Sequence, residues 1–63
     1  MEAERKAIRI ERVKRGWTQA DLALAAKVDA GTICRVEQGK ACTLETMERI
    51  AAAFGCTVSE LLL

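Results

Sequence analysis

Apolar and polar positions follow a helical rather than a strand period along the chain, and capping residues divide it into five predicted helices. The first runs from about Ala3 to Arg15, with Ala3, Ala7, Ile8, Ile10 and Val13 as its apolar set and Gly16 as its stop. Thr18 opens the second as N-cap, with Asp21 as capping-box partner, and Leu22, Ala23, Ala26 and Val28 share one side. Asp29 caps the third, in which Ile33 and Val36 form an i, i+3 apolar pair and Gly39 closes the segment. Thr43 starts the fourth, where Met47, Ile50, Ala51 and Phe54 make an amphipathic stripe ending at Gly55. Thr57 with Glu60 forms a last capping box, opening a short fifth helix with Val58, Leu61 and Leu62 facing inward. There is no strand alternation, internal repeat or linker, so the pattern predicts one all-α domain over residues 1–63.

Composition narrows this further. A chain of 63 residues is near the lower limit at which a hydrophobic core folds alone. Trp17 and Phe54 are the only aromatics, so the core must come from Ala, Leu, Ile and Val, and the absence of proline suits helix. No apolar run approaches the ~18 residues of a membrane span, and the charged N-terminal segment does not read as a signal peptide. The expectation is a cytoplasmic protein with no membrane partner.

Cys34, Cys42 and Cys56 are irregularly spaced, with no histidine and no C-x-x-C pair to complete a zinc site. They read as reduced thiols filling small spaces, the alternatives being a three-thiolate site or a redox switch. Without histidine or clustered carboxylates the chain offers no catalytic constellation, so no enzyme activity, cofactor, metal or small-molecule substrate is expected.

The net charge is +1, but six of the ten cations (Arg5, Lys6, Arg9, Arg12, Lys14 and Arg15) fall in the first fifteen residues. By charge pattern alone they read as a solvated helix face with Glu–Arg and Glu–Lys pairs.

The informative stretch is Thr18-Gln19-Ala20-Asp21-Leu22-Ala23, then Val28, then Thr32 through Lys40. With Thr43 to Met47, Ile50 to Gly55 and Val58 to Leu62 it resembles the lambda-repressor-like Cro/phage-repressor family, also called the xenobiotic-response-element family. The ordered set spans nearly the whole chain. The resemblance implies a compact five-helix domain whose helices two and three form a helix-turn-helix over about residues 18–38. It further implies a sequence-specific DNA-binding transcriptional regulator, a repressor that inserts its third helix in the major groove as a homodimer on a near-palindromic operator.

The residues themselves fit such a motif. Ala23 is small where two helices must approach closely, and Ile33 and Val36 anchor the third helix from beneath. The opposite face, with Ala30, Gly31, Thr32 and Arg35, is left free for a groove, and the open start of the second helix offers N–H groups to a phosphate. The resemblance makes Arg35 a base-reading residue, able to fork onto guanine, with Thr32, Cys34, Ala30 and Gly31 beside it. It makes Gln19, Thr18 and Lys40 phosphate contacts, and Arg12 with Glu37 an ion pair tying the first helix to the end of the third. Trp17 is expected to pack over the Gly16 corner. The dimer surface is expected to include Cys56, Leu61 and Leu63, a frayed end being the alternative for Leu63.

Several residues depart from the family pattern. Lys27 stands where a glycine usually takes a positive φ, at a cost of roughly 1 kcal/mol. Asp29 puts a carboxylate where a phosphate would approach, Ala30 and Gly31 lack polar side chains, and Ala41-Cys42 lacks the usual basic residues. Modest affinity with a shallow salt dependence follows. These departures motivate the alternative reading, a protein-interaction or antitoxin-like module that keeps the fold with weak or no DNA readout.

Overall fold

In the computed structural model, which describes residues 1–4 and 6–62, four α-helices precede a single 3₁₀ turn. They are α1 (Ala7–Lys14), α2 (Gln19–Ala26), α3 (Ala30–Glu37) and α4 (Leu44–Phe54), and the turn is Val58–Glu60. The capping boundaries follow the predicted ones closely. Thr18, Asp29 and Thr43 each accept a hydrogen bond at their side-chain oxygen from the backbone N–H three residues on. Each helix closes in the same way: Gly16, Lys27, Gly39 and Gly55 all have positive φ. The next residue's N–H then reaches back five positions, as from Val28 to the Ala23 carbonyl at 3.0 Å.

The predicted fifth helix is corrected to one 3₁₀ turn. Its box partner is in place, since Glu60 accepts from the Thr57 N–H at 3.1 Å. The chain then tightens, with the Leu61 N–H on the Val58 carbonyl at 2.9 Å. The Leu61 carbonyl is taken by the Glu4 N–H at 2.7 Å, and Leu62 forms an isolated antiparallel bridge with Ala3. A continuing helix would need that carbonyl for itself.

The same pairing shortens the first helix. Ala3 is buried as expected, but in extended backbone against the chain's end rather than in a helical turn. Ile10 and Val13, expected to face inward, are 52% and 58% exposed. At about 100° per residue they lie across α1 from buried Ile8. The face beside Ile8 carries Arg12 and Arg15, whose guanidinium groups satisfy the Trp17 and Phe54 carbonyls. Hydrogen-bond demand, not apolar count, sets the rotation of this helix.

Leu22, Ala23 and Ala26 of α2, Ile33 and Val36 of α3, and Met47, Ile50, Ala51 and Phe54 of α4 form one core with Ala3, Ile8 and Leu61. Helix α2 packs against both α3 and α4. Ala23 allows the close approach at the α2–α3 corner, and Val28 closes it half-buried. Trp17 packs against this core as predicted, stacking on Phe54 with ring centroids 6.0 Å apart. No described helix is long and apolar enough to cross a membrane.

Candidate nucleic-acid interface

The turn into α3 fixes how that helix is presented. Lys27 stands at φ 62°, the one residue other than glycine in the left-handed region among the described residues, and its carbonyl accepts from Arg49 Nη1 at 3.0 Å. Asp29 Oδ1 accepts from the Thr32 N–H at 2.7 Å. The hydrogen bonds from Thr32 hold the Asp29 carboxyl below its usual range, with nearby Arg35 a smaller contribution in the same direction. Below this cap, Ile33 and Val36 are buried, at 0% and 2% exposure, and hold the helix to the core.

The other face is open. Ala30, Gly31 and Arg35 are exposed, and Thr32 and Cys34 are half-exposed. Arg35 folds back along the helix, donating from Nη2 to Thr32 Oγ1 at 3.2 Å. The guanidinium lies beside Gly31, where an added Cβ would sit in ordinary contact 3.4 Å from Arg35 Nη1. Gln38 Nε2 donates to Cys34 Sγ at 3.5 Å, one turn further on.

The structure brings Arg12 and Glu37 together as expected. Arg12 Nε donates to Glu37 Oε2 at 2.8 Å and Nη2 to Oε1 at 3.1 Å, while Nη1 holds the Trp17 carbonyl at 2.8 Å. Both side chains are largely buried, at 13% and 8% exposure. Gln19 joins them through Nε2 to Glu37 Oε1 at 3.4 Å, which links the start of α2 to the end of α3. Gln19, Cys34, Arg12 and Glu37 share a cleft of about 340 Å³ with Arg9 and Gln38, two residues that sequence reasoning did not single out. Helical spacing held the signal: Arg9 is one turn before Arg12, and Gln38 one turn after Cys34.

The other predicted residues lie outside this cleft. Thr18 is exposed and engaged in its capping box, with Oγ1 accepting from the Asp21 N–H at 3.1 Å and its own N–H on Asp21 Oδ2 at 2.9 Å. Lys40 is exposed, three residues beyond the end of α3.

The predicted dimer residues divide. Leu61 is 1% exposed in the domain's own core, so the expectation that it faces a second copy is corrected: its side chain is already enclosed. Cys56 is half-buried in a groove of about 410 Å³ lined by Ala7, Ile10, Glu11, Glu60 and Leu61. Burial pushes the Cys56 thiol pKa up, reinforced by the Glu60 and Glu11 carboxylates, and burial raises that of Cys42 likewise. Leu63, like Arg5, lies outside the described residues. No cluster of side chains that could hold a metal ion occurs among the described residues.

Two short helices joined at a tight corner, the second anchored below and open above, define a helix-turn-helix domain. Residues 8–61 match the family model described as helix-turn-helix. The chain belongs to this family, in its lambda-repressor-like, xenobiotic-response-element form. Among solved structures it is similar to the restriction-modification controller protein C.AhdI from Aeromonas hydrophila. That pair has 26% identity and a TM-score of 0.83, over 90% of this chain and 88% of that one. It is also similar to the clp gene regulator ClgR from C. glutamicum (30% identity, TM-score 0.74, 87% and 73% covered). A hypothetical transcription factor from Neisseria, NHTF, aligns over 100% of this chain and 81% of its own, at 29% identity and TM-score 0.80. The curated proteins give no significant match.

Proposed function

We propose that this domain is a sequence-specific DNA-binding transcriptional regulator, a repressor that places α3 in the major groove. The observation that carries this reading is the division of α3 into a buried side, Ile33 and Val36, and an open side led by Arg35. Arg35 reads a base, forking onto guanine, with Thr32 and Cys34 beside it and the Ala30 methyl set for a thymine methyl. Gln19, Thr18 and Lys40 contact phosphates, helped by the start of α2, where the capping box leaves the Gln19 and Ala20 N–H groups free for an anion. Similarity to a restriction-modification controller and to a clp gene regulator supports a regulatory role.

One such module buries too little surface to select a site alone, so the working unit is a homodimer on a near-palindromic operator. The groove holding Cys56, lined also by exposed Ile10, is its pairing surface.

One observation favours a second reading, a protein-interaction module without DNA readout. Asp29 is exposed and kept anionic at the leading edge of α3, where Ala30 and Gly31 add no polar group. Binding to random and selected duplex DNA at low and moderate salt separates the two. Regulator function requires binding, with Arg35→Ala relaxing sequence preference and Gln19→Ala weakening all sites alike. Absence of binding even at low salt overturns the regulator reading.

A further inference from the structure

We infer that Arg9 of α1 is a phosphate-binding residue, gripping the nucleic-acid backbone at the cleft between α1, the start of α2 and the end of α3. The inference rests on the DNA-binding reading above and extends its phosphate contacts to α1. The cleft is lined by Arg9, Arg12, Gln19, Cys34, Glu37 and Gln38, two cations against one carboxylate. Arg12 and Glu37 neutralise each other through their two hydrogen bonds, and Arg12 is also held by the Trp17 carbonyl. The excess charge of the cleft is therefore that of Arg9.

Arg9 is exposed and has no ion pair or hydrogen bond among the described residues, in contrast to Arg15 and Lys14, which share Glu11. The sequence denies it an acidic neighbour at helical spacing, since positions three and four away hold Arg5, Lys6, Arg12 and Val13. A guanidinium left free at a polar cleft is suited to fork onto the two anionic oxygens of a phosphodiester. Gln19 and Gln38 flank it with amide groups, one N–H of each engaged, on Glu37 Oε1 at 3.4 Å and on Cys34 Sγ at 3.5 Å, and a second N–H of each retained for an incoming oxygen. Glu37 would repel that phosphate were it not neutralised, so the buried Arg12–Glu37 pair makes the cleft usable by an anion. Cys34 of α3 lines the same cleft, so a backbone held there lies alongside the base-reading face.

The test is a salt titration of binding to a random-sequence duplex and to a selected site, using the full chain with Arg9→Ala, Arg9→Lys and Lys6→Ala. Lys6 is an exposed cation of the same segment that does not line the cleft. Arg9→Ala is expected to weaken both duplexes by the same factor and to make the slope of log K against log salt shallower by about 0.9. Arg9→Lys should keep the wild-type slope, and Lys6→Ala should leave it unchanged. An unchanged slope in Arg9→Ala overturns the inference while leaving the DNA-binding reading intact. A loss confined to the selected site makes Arg9 a base contact and overturns it too. An equal flattening in Lys6→Ala reduces the effect to general charge. If the wild-type chain binds neither duplex at low salt, the underlying reading fails first.

Discussion

Arg15 ties the end of the first helix to the end of the fourth through Phe54. Its Nη2 donates to the Phe54 carbonyl at 2.8 Å, and its guanidinium carbon lies 4.8 Å from the Phe54 ring centroid. The last carbonyls of a helix lack intrahelical partners, and a cation there also complements the helix dipole. Glu11 steadies the guanidinium from its other side at 2.9 Å, and Trp17 stacks on the same phenyl ring. Arg15→Ala should therefore cost about 1–2 kcal/mol. Thermal melting would show it as a fall of roughly 4–8 °C per kcal/mol for a domain of this size. Arg15→Lys should recover less than half, because an ammonium group cannot make the planar fork over the ring. Full recovery by lysine would reduce the contact to simple charge.

The Arg12–Glu37 pair predicts a non-additive mutant cycle. Its members come from α1 and α3 and are largely buried, so removing either one strands the other. Each single change, Arg12→Met or Glu37→Met, should destabilise by about 3–5 kcal/mol, a large share of a small domain's stability. The double change should be clearly more stable than either single one, because no uncompensated charge is left behind. Urea unfolding of the four proteins measures the coupling, and additive losses would contradict it.

The caps, the stripe of α4 and the anchors Ile33 and Val36 were legible in the sequence because each depends on residues within one or two turns. Thr18 with Asp21 and Thr43 with Gly55 mark helix ends through local hydrogen bonds, whatever the rest of the chain does. The rotation of α1 was not legible. Ile10 and Val13 look like core residues by type, but Arg12 and Arg15 turn inward to meet carbonyls and a carboxylate 5 to 39 residues away. The same distance hid the pairing of Ala3 with Leu62, which ends the last helical segment after one turn. At the site, Arg35, Gln19 and the Arg12–Glu37 tie followed from the family resemblance. Arg9 did not, because its role depends on which neighbours are already paired.

Lys27 predicts a stabilising substitution. At φ 62° it ends α2 in a left-handed conformation that costs a residue with a Cβ about 1 kcal/mol more than glycine. The contacts of this corner use backbone atoms: the Lys27 N–H on the Leu24 carbonyl and the Lys27 carbonyl accepting from Arg49. Lys27→Gly keeps both and relieves the strain, so the melting temperature should rise by several degrees. Lys27→Asn should gain part of this, since asparagine tolerates the left-handed region better than lysine. A fall in melting temperature for the glycine variant would mean that the lysine side chain makes a compensating contribution.

Asp29 and Glu11 contribute to the acid dependence of stability. Asp29 is held below its ordinary value of 3.8 chiefly by hydrogen bonds from Thr32, and Glu11 below 4.5 chiefly by Arg15 and then Lys14. A carboxylate with a depressed folded-state pKa contributes stability that is fully present above its unfolded value. That contribution is lost as the pH falls through the folded value. With no histidine in the chain, stability should be nearly flat from about pH 5 to 7 and should decline below about pH 4.5 as these groups protonate. Asp29→Asn keeps a side chain competent to cap α3 but removes one of the titrating groups, so its decline on acidification should be shallower. The same variant removes an anion from the leading edge of α3, so it should bind any duplex more tightly at neutral pH, without a change in sequence preference. Melting temperature against pH, measured alongside duplex affinity, tests both consequences. An acid decline as steep as wild type would assign the loss to other carboxylates, and unchanged affinity would place Asp29 away from the phosphates.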